Sequence, residues 1–247
     1  NLCEEYNHIL NWSPDLIKQC AGYLHSVDPY DHPIAVHHAN TVDNAWTPFL
    51  GDPLFSVASF QTRDISVVAS WRRKSVKAGH PLVIGMDEIY PDFAKPDNAD
   101  RHRKEYTWPI YLSGGQTEYI LSDLIRTEDF RKYQQHWREM WFTRKFIEEN
   151  LPFWEMYSMD SLLKNEQGDG RVFAKHGQVY AIYLPSGGNG VLDLSDSASK
   201  TYNLRWYNPR TGEFDAATQQ ITGGQAVELP LHPADSENDW VILLKSE

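Results

Sequence analysis

One apolar segment that ends in two carboxylates constrains the fold of this chain more than any other feature. Residues 81–88 begin with proline, continue with apolar residues and end in Asp87 and Glu88, which is typical of a buried strand. A second acidic ending, with Glu4 and Glu5, opens the chain. Because strand-like and helical patterns alternate between these endings, the sequence predicts a parallel sheet covered by helices. In a (β/α) barrel the active site lies at such strand ends.

Five strands and four helices are predicted before residue 156. Residues 1–7 are expected to be the end of the first strand and a loop, and the other strands are expected at 34–38, 54–60, 82–88 and 117–121. The helices are expected at 13–26, 65–78, 106–112 and 129–150. Ser13 followed by Pro14 is a helix-start signal. Residues 90–103 are polar and are expected to form a long loop. A closed barrel needs eight strands, so the five predict only part of one.

The pattern changes after about residue 160. Short apolar strands alternate with turn signals, and the strands are expected at 172–174, 179–184, 191–194, 202–207, 226–229 and 240–244. This spacing predicts an antiparallel β-sandwich, with Trp206 and Trp240 in its core. The predicted fold class is therefore α/β plus all-β: the C-terminal part of a (β/α)8 barrel at 1–156, followed by a β-sandwich at 157–247.

Charge and composition narrow the possible partners. The formal net charge of −11 disfavours nucleic acid and an anionic membrane, because both favour clustered Lys and Arg. No apolar stretch approaches the roughly 18 residues of a membrane span. The composition suits a secreted or periplasmic protein, although no signal peptide is visible. Cys3 and Cys20 are expected as two buried, reduced thiols, with a single bridge as the alternative, and no cofactor is expected.

The two acidic pairs are the residues most suited to chemistry. Glycoside hydrolysis needs one carboxyl group that protonates the leaving oxygen and another that attacks the anomeric carbon or activates water. The candidates are Glu4 or Glu5 for one group and Asp87 or Glu88 for the other. The alternative is that these acids are solvated turn residues, N-caps or salt-bridge partners.

Other polar and aromatic side chains are expected at the same strand ends, where they could bind sugar hydroxyls or stack on sugar rings. The predicted substrate-binding residues are His37, His38, Asn40, Gln61, Trp46 and Tyr119, and Arg63 and Glu118 lie nearby in sequence. Adjacent residues of a strand point to opposite faces, so His37 and His38 would not readily bind one ion. No metal site is therefore predicted.

These endings resemble those of a known superfamily. Asn1-Leu-Cys-Glu-Glu5 resembles the fourth-strand ending of the retaining (β/α)8 glycosidases related to cellulases, and Leu82-Val-Ile-Gly-Met-Asp-Glu88 resembles their seventh-strand ending. The resemblance implies that Glu5 is the acid/base and Glu88 the nucleophile, with Glu4 and Asp87 as runners-up. It also implies that the first three strands lie upstream of Asn1 or in a companion chain.

A closer resemblance is to bacterial apiosidase-like barrel proteins that carry a C-terminal domain labelled collagen-binding. It is carried chiefly by residues 206–214 and 239–241. The resemblance implies a glycoside hydrolase that cleaves a poly- or oligosaccharide by double displacement. The alternative is a non-catalytic carbohydrate- or protein-binding adhesive protein with a degenerate barrel.

Overall fold

The computed structural model describes residues 1–8, 12–39, 42–89, 92–123, 129–165, 167–198, 200–232 and 234–246. The chain divides into two compact units: residues 1–94 with 115–127, and residues 95–114 with 128–247. Helical residues that were assigned to the barrel thus share a unit with the C-terminal strands. The predicted boundary between residues 156 and 157 stays a prediction.

A four-stranded parallel sheet forms the centre of the first unit. Its strands are β1 (Ala35–Ala39), β2 (Val57–Gln61), β3 (Val83–Glu88) and β4 (Gln116–Thr117), and they pair in that order. Each new strand pairs in parallel with the one before it. The predicted parallel sheet is confirmed, because successive strand–helix units place their strands side by side.

The start of the chain lies along the β1 edge of this sheet. The Leu2 amide donates a hydrogen bond to the Ala35 carbonyl over 2.9 Å, and the His37 amide donates to the Cys3 carbonyl over 3.3 Å. Residues 1–3 therefore continue the sheet by two hydrogen bonds, although they form no regular strand. As a result, Glu4 and Glu5 follow the last paired residue, as expected.

Three helices accompany the sheet: α1 (Pro14–Val27), α2 (Val42–Trp46) and α3 (Ser66–Lys77). The predicted start of α1 is confirmed, since the Ser13 side chain accepts a hydrogen bond from the Leu16 amide and Pro14 is the first helical residue. Aromatic residues form the core of this unit, with Phe60 in edge contact with both Trp46 and Trp71. Neither cysteine is bridged; Cys3 is buried and Cys20 is partly exposed.

The helix predicted at 106–112 is longer than expected. It comprises α4 (Ala99–His102), a π-helical turn (Arg103–Thr107) and α5 (Trp108–Tyr111). The expected loop at 90–103 is therefore wrong for its last residues. The hydrophobic pattern does not indicate the first part of this helix, because two of its buried positions, His102 and Arg103, are polar.

The second unit contains α6 (Gln134–Asn150) and two antiparallel sheets. The six-stranded sheet has the order β11-β10-β13-β8-β7-β5, and the three-stranded sheet has the order β12-β9-β6. The strands are β5 (Tyr157–Ser158), β6 (Leu163–Asn165), β7 (Arg171–Lys175), β8 (Val179–Leu184), β9 (Gly190–Asp193), β10 (Thr201–Asn208), β11 (Glu213–Thr222), β12 (Ala226–Leu229) and β13 (Trp240–Ser246). The short strands β5 and β6 and the long strand β11 were not predicted; the residues of β11 are mostly polar and exposed.

Both faces of the six-stranded sheet are buried. One face shares a core with the three-stranded sheet, to which Leu192 and Leu229 contribute, and this core contains Trp206 and Trp240 as predicted. The other face packs against α5 and α6, where Trp108 stacks on Tyr183 with ring centroids 5.6 Å apart. Burial on two faces explains why β8 and β13 read as unbroken apolar runs.

A buried ion-pair network joins these helices to the sheet. The Arg103 guanidinium donates to Asp239 over 2.8 Å and to Glu139 over 2.7 Å, and the Tyr183 hydroxyl donates to Asp239 over 2.9 Å. Arg103 and Asp239 are almost completely buried. Burial raises the pKa of Glu139, while the charge of Arg103 opposes the rise. Within the described ranges, none of the helices combines the length and hydropathy of a membrane span.

Replacing Asp239 by alanine should leave the buried Arg103 guanidinium without the carboxylate to which two of its nitrogens donate. Removal of one member of a buried ion pair destabilises a protein by about 3–5 kcal/mol. Urea unfolding followed by fluorescence should show this loss, whereas Glu237→Ala, at an exposed position two residues away, should change the unfolding free energy by less than about 0.5 kcal/mol. Equal effects of the two substitutions would contradict the network's role.

Candidate functional site

Polar side chains from neighbouring strands share one face of the parallel sheet. Alternate residues of a strand point to the same side, and Ala35, Val57 and Gly85 on this face line a cavity of about 170 Å³. Ser59 and Asp87, two residues further along β2 and β3, line the same cavity. The face is therefore apolar at its start and polar at the carboxyl ends of the strands, where α/β sheets bind ligands.

A register shift in β3 brings two adjacent carboxylates to this face. Phe60 pairs with Met86, but Gln61 pairs with Glu88, so Asp87 is the extra residue of a β-bulge. The Ser59 hydroxyl donates to Asp87, and the Gln61 amide donates to Glu88 over 2.5 Å. Ser59 and Gln61 lie two residues apart and thus on one face. The bulge places both acids there, where regular alternation would separate them.

His37 lies between the two acidic endings. Its side chain is almost completely buried, with Nδ1 in contact with the Glu4 carboxylate and Nε2 4.0 Å from an Asp87 carboxylate oxygen. Nε2 has no hydrogen-bonding partner among the described residues. Asn1 donates a hydrogen bond to the other oxygen of Glu4 over 3.3 Å. The predicted residues Glu4, His37 and Asp87 are thus brought together.

Glu5 contacts a different histidine from the one that Glu4 contacts. Its backbone has a φ of 43°, in the left-handed region that is uncommon for residues other than glycine. Its carboxylate lies 3.8 Å from the imidazole of His8, in the short 3-10 helix Tyr6–His8 that follows. The structure therefore brings the runner-up Glu4 into the cluster and places Glu5 beside His8.

The electrostatics of the site distinguish its carboxyl groups. Burial is the first cause that raises the pKa of Glu88, and the negative charges of Glu4 and Asp87 raise it further, whereas the Gln61 hydrogen bond and His37 lower it. Glu118, at the rim of the cavity, also has a raised pKa, first through partial removal from water and then through the charge of Asp87. These carboxyl groups therefore interact electrostatically, so that ionisation of one disfavours ionisation of its neighbours.

The remaining predicted residues are dispersed. Trp46 is completely buried and packs against Phe49 and Phe60, so it is placed as a core residue and not as a stacking platform. His38 is buried against Phe60, and burial lowers its pKa to about 4. Tyr119 is half-buried, and Asn40 lies outside the described residues.

The sequence analysis missed Ser59. The available signal was its position two residues before Gln61 in the same strand, since period-two spacing places both side chains on one face. As for metals, no three His, Cys, Asp or Glu side chains in the described parts of the chain converge in a way that could hold an ion.

Comparisons with known proteins address the two parts of the chain differently. Residues 160–245 match the family model described as "Putative collagen-binding domain of a collagenase", which agrees with the resemblance of the C-terminal domain. No curated protein sequence matches the chain.

Two solved structures are similar to most of the chain. One, described as "Glycoside hydrolase", has a TM-score of 0.68 and 13% identity, with coverage of 92% of this chain and 60% of its own. The other, a family 5 glycoside hydrolase from Bacteroides vulgatus, has a TM-score of 0.66 and 18% identity, with coverage of 95% and 59%. The chain therefore has a mixed α/β fold like that of glycoside hydrolases, and it spans about 60% of their length.

Replacing Gln61 by leucine should raise the pKa of Glu88 further, because the lost hydrogen bond favours the ionised form. Any activity that needs ionised Glu88 should then begin at higher pH. NMR titration of the carboxyl carbons measures the pKa directly. Glu118 serves as an internal control, since the causes of its raised pKa do not include Gln61. An unchanged or lowered pKa of Glu88 would contradict the assigned contact.

Proposed function

We propose that this chain is the C-terminal part of a retaining glycoside hydrolase that cleaves a poly- or oligosaccharide. The observation that carries the proposal is the convergence of Glu4, Asp87 and Glu88 around buried His37 at the carboxyl ends of parallel strands. Two carboxyl groups from different strand ends are what double displacement requires. The similarity to the fold of glycoside hydrolases supports the proposal.

The structure favours Glu4 over Glu5 as the acid/base of this reaction. Glu4 contacts His37 and its charge affects Glu88, whereas Glu5 pairs with His8. In the proposed mechanism Glu4 protonates the leaving oxygen, Glu88 attacks the anomeric carbon, and Glu4 then removes a proton from the water that releases the sugar.

The nucleophile must be ionised, and burial of Glu88 works against this. In retaining glycosidases the acid/base is usually the carboxyl group with the raised pKa, so the direction at Glu88 is opposite to that pattern. The Gln61 hydrogen bond favours the ionised form of Glu88. Gln61 therefore supports the nucleophilic role, which itself rests on the resemblance of β3 to a seventh barrel strand.

Two buried polar atoms at the site are available for a substrate. The Gln61 side-chain oxygen and His37 Nε2 have no hydrogen-bonding partner among the described residues. An unpaired buried polar atom is costly. A sugar hydroxyl could donate to the Gln61 oxygen, and it could donate to or accept from His37 Nε2 according to which ring nitrogen carries the proton. Ser59, Glu118 and Tyr119 are the further groups proposed to contact sugar hydroxyls. The location proposed for the enzyme is secreted or periplasmic.

We propose that the strands missing from a closed barrel lie upstream of Asn1. Under this proposal β1, β2, β3 and β4 are strands five to eight, and residues 1–3 are the end of strand four. The similar hydrolases are longer than this chain, which leaves room for three more strand–helix units. A companion chain could supply the same units.

A non-catalytic binding protein is the second candidate. The match of residues 160–245 to a family described as collagen-binding favours it. Under this alternative the barrel part catalyses no reaction, and the antiparallel sheets bind a protein or a glycan. Binding of a polysaccharide without any release of reducing sugar would favour this candidate.

Replacing Glu4 or Glu88 by glutamine should remove most activity of the polypeptide that carries this chain. Loss of a general acid/base typically costs about 100- to 10,000-fold in rate, and loss of the nucleophile should cost at least as much. Reducing-sugar release from a panel of neutral polysaccharides measures the effect, and circular dichroism checks the fold.

Glu5→Gln is the matched control, because it makes the same change one residue away. It should retain activity within about threefold if Glu4 is the acid/base. Loss of activity in Glu5→Gln with full activity in Glu4→Gln would restore Glu5 to that role. Full activity in Glu88→Gln would reject the proposed mechanism.

A further inference from the structure

The carboxyl end of the parallel sheet carries a surplus of negative charge. Asp87 and Glu118 both line the cavity, and Glu4 and Glu88 belong to the same cluster, because Asp87 interacts with Glu88 and Glu118, and Glu4 with Glu88. The other polar residues that line the cavity are neutral: Asn1, Ser59 and Gln116. None of the described residues that line it is a lysine or an arginine. An anionic ligand would therefore meet like charges here.

Basic side chains do little to offset this charge. Arg63, the basic residue that follows β2, is in ion-pair contact with Asp92. His37 is the basic group that interacts with Glu88 and Glu118, and its imidazole contacts a further acid, Glu4. One imidazole is thus set against several carboxyl groups, so the balance of charge at the site is negative at neutral pH.

Glu118 is positioned by the backbone of the sheet. Its amide donates a hydrogen bond to the Met86 carbonyl over 3.0 Å, which continues the pairing of β3 and β4 beyond Thr117. Glu118 therefore lies at the end of the strand next to the one that carries Asp87. Because Glu118 is exposed and lines the cavity, its carboxylate can contact a ligand directly.

The buried polar atoms at this edge favour a ligand that donates hydrogen bonds. Gln61 is only 7% exposed. Its amide nitrogen donates to Glu88, and its side-chain oxygen has no hydrogen-bonding partner among the described residues. That oxygen can only accept hydrogen bonds, as can an ionised carboxylate. A sugar hydroxyl can donate to these acceptors, whereas the carboxylate of a uronic acid cannot.

We propose that the site takes neutral sugars and rejects uronic acids, and that Glu118 is the residue that sets this preference. The inference rests on the proposed function in that both place a sugar at these strand ends. The Glu118 carboxylate accepts hydrogen bonds from sugar hydroxyls and repels a sugar that carries a carboxylate of its own. Glu118 acts on binding and takes no part in bond cleavage.

Matched pairs of methyl glycosides test the preference. Methyl glucoside and methyl glucuronide differ only in that a hydroxymethyl group is replaced by a carboxylate, and the galacto and manno pairs differ in the same way. NMR titration of the polypeptide that carries this chain measures the affinity for each member. In the pairs that bind, the neutral member should bind more tightly by about tenfold, because like charges disfavour association. Equal or tighter binding of the uronides would overturn the proposal, as would no binding of any neutral member.

Replacement of Glu118 by glutamine removes the charge and keeps the size of the side chain. Glu118→Gln should reduce the ratio of the two affinities by about threefold, and Glu118→Lys should reduce it further. Asp31→Asn is the matched control, because it removes one negative charge from an exposed position before β1, at the opposite end of the strand, and it should leave the ratio unchanged. Circular dichroism checks the fold of each variant. An unchanged ratio in Glu118→Gln, or an equal change in Asp31→Asn, would overturn the role of Glu118.

The preference and the proposed function can fail separately. Selective binding of neutral glycosides without hydrolysis of any polysaccharide would retain the preference and reject the proposed function. Hydrolysis of uronic acid polymers as fast as that of neutral polysaccharides would retain the proposed function and reject the preference.

Discussion

The parallel register of β2 and β3 is the constraint on which the candidate site depends. Parallel pairing aligns the carboxyl ends of the strands, and the one-residue bulge at Asp87 then turns two consecutive acids toward Ser59 and Gln61. Without the bulge, Asp87 and Glu88 would point to opposite faces. The same face carries His37, whose position between Glu4 and Asp87 connects the start of the chain to the end of β3. The arrangement of the candidate site thus follows from backbone hydrogen bonding before any side chain is considered.

Periodicity predicted most of the parallel sheet, because β1, β2 and β3 are apolar runs with clear boundaries. One error in the predicted secondary structure occurs where a charged residue is buried. Helix α4 and Arg103, the first residue of the π-helical turn, fall within the expected loop, since Arg103 looks like a surface residue. It is instead buried in ion pairs with Asp239 and Glu139. Those partners lie 136 and 36 residues away in sequence, so no local pattern reveals them. Strand β11 was missed for the opposite reason, because its polar side chains are exposed.

The strand endings that carry the candidate site could be predicted from the sequence, but the arrangement of their side chains could not. Asp87, His37 and Gln61 lie where alternation places them, whereas Glu88 reaches the same face only through the bulge. The choice between Glu4 and Glu5 depends on a positive φ at Glu5 that the sequence does not signal. Trp46 and His38 were attractive as ligand contacts by residue type. Both are instead buried against Phe60, since a strand end or short helix can direct an aromatic ring into the core as readily as into a cleft.

The most direct test of the central claim is to trap the glycosyl-enzyme intermediate. The polypeptide that carries this chain would be incubated with a panel of 2-deoxy-2-fluoro glycosides that carry good leaving groups, and the labelled peptide would be sequenced by mass spectrometry. Our account predicts a covalent sugar on Glu88. A label on Asp87 or Glu4 would contradict the assignment of the nucleophile, and turnover with inverted anomeric configuration and no adduct would contradict double displacement.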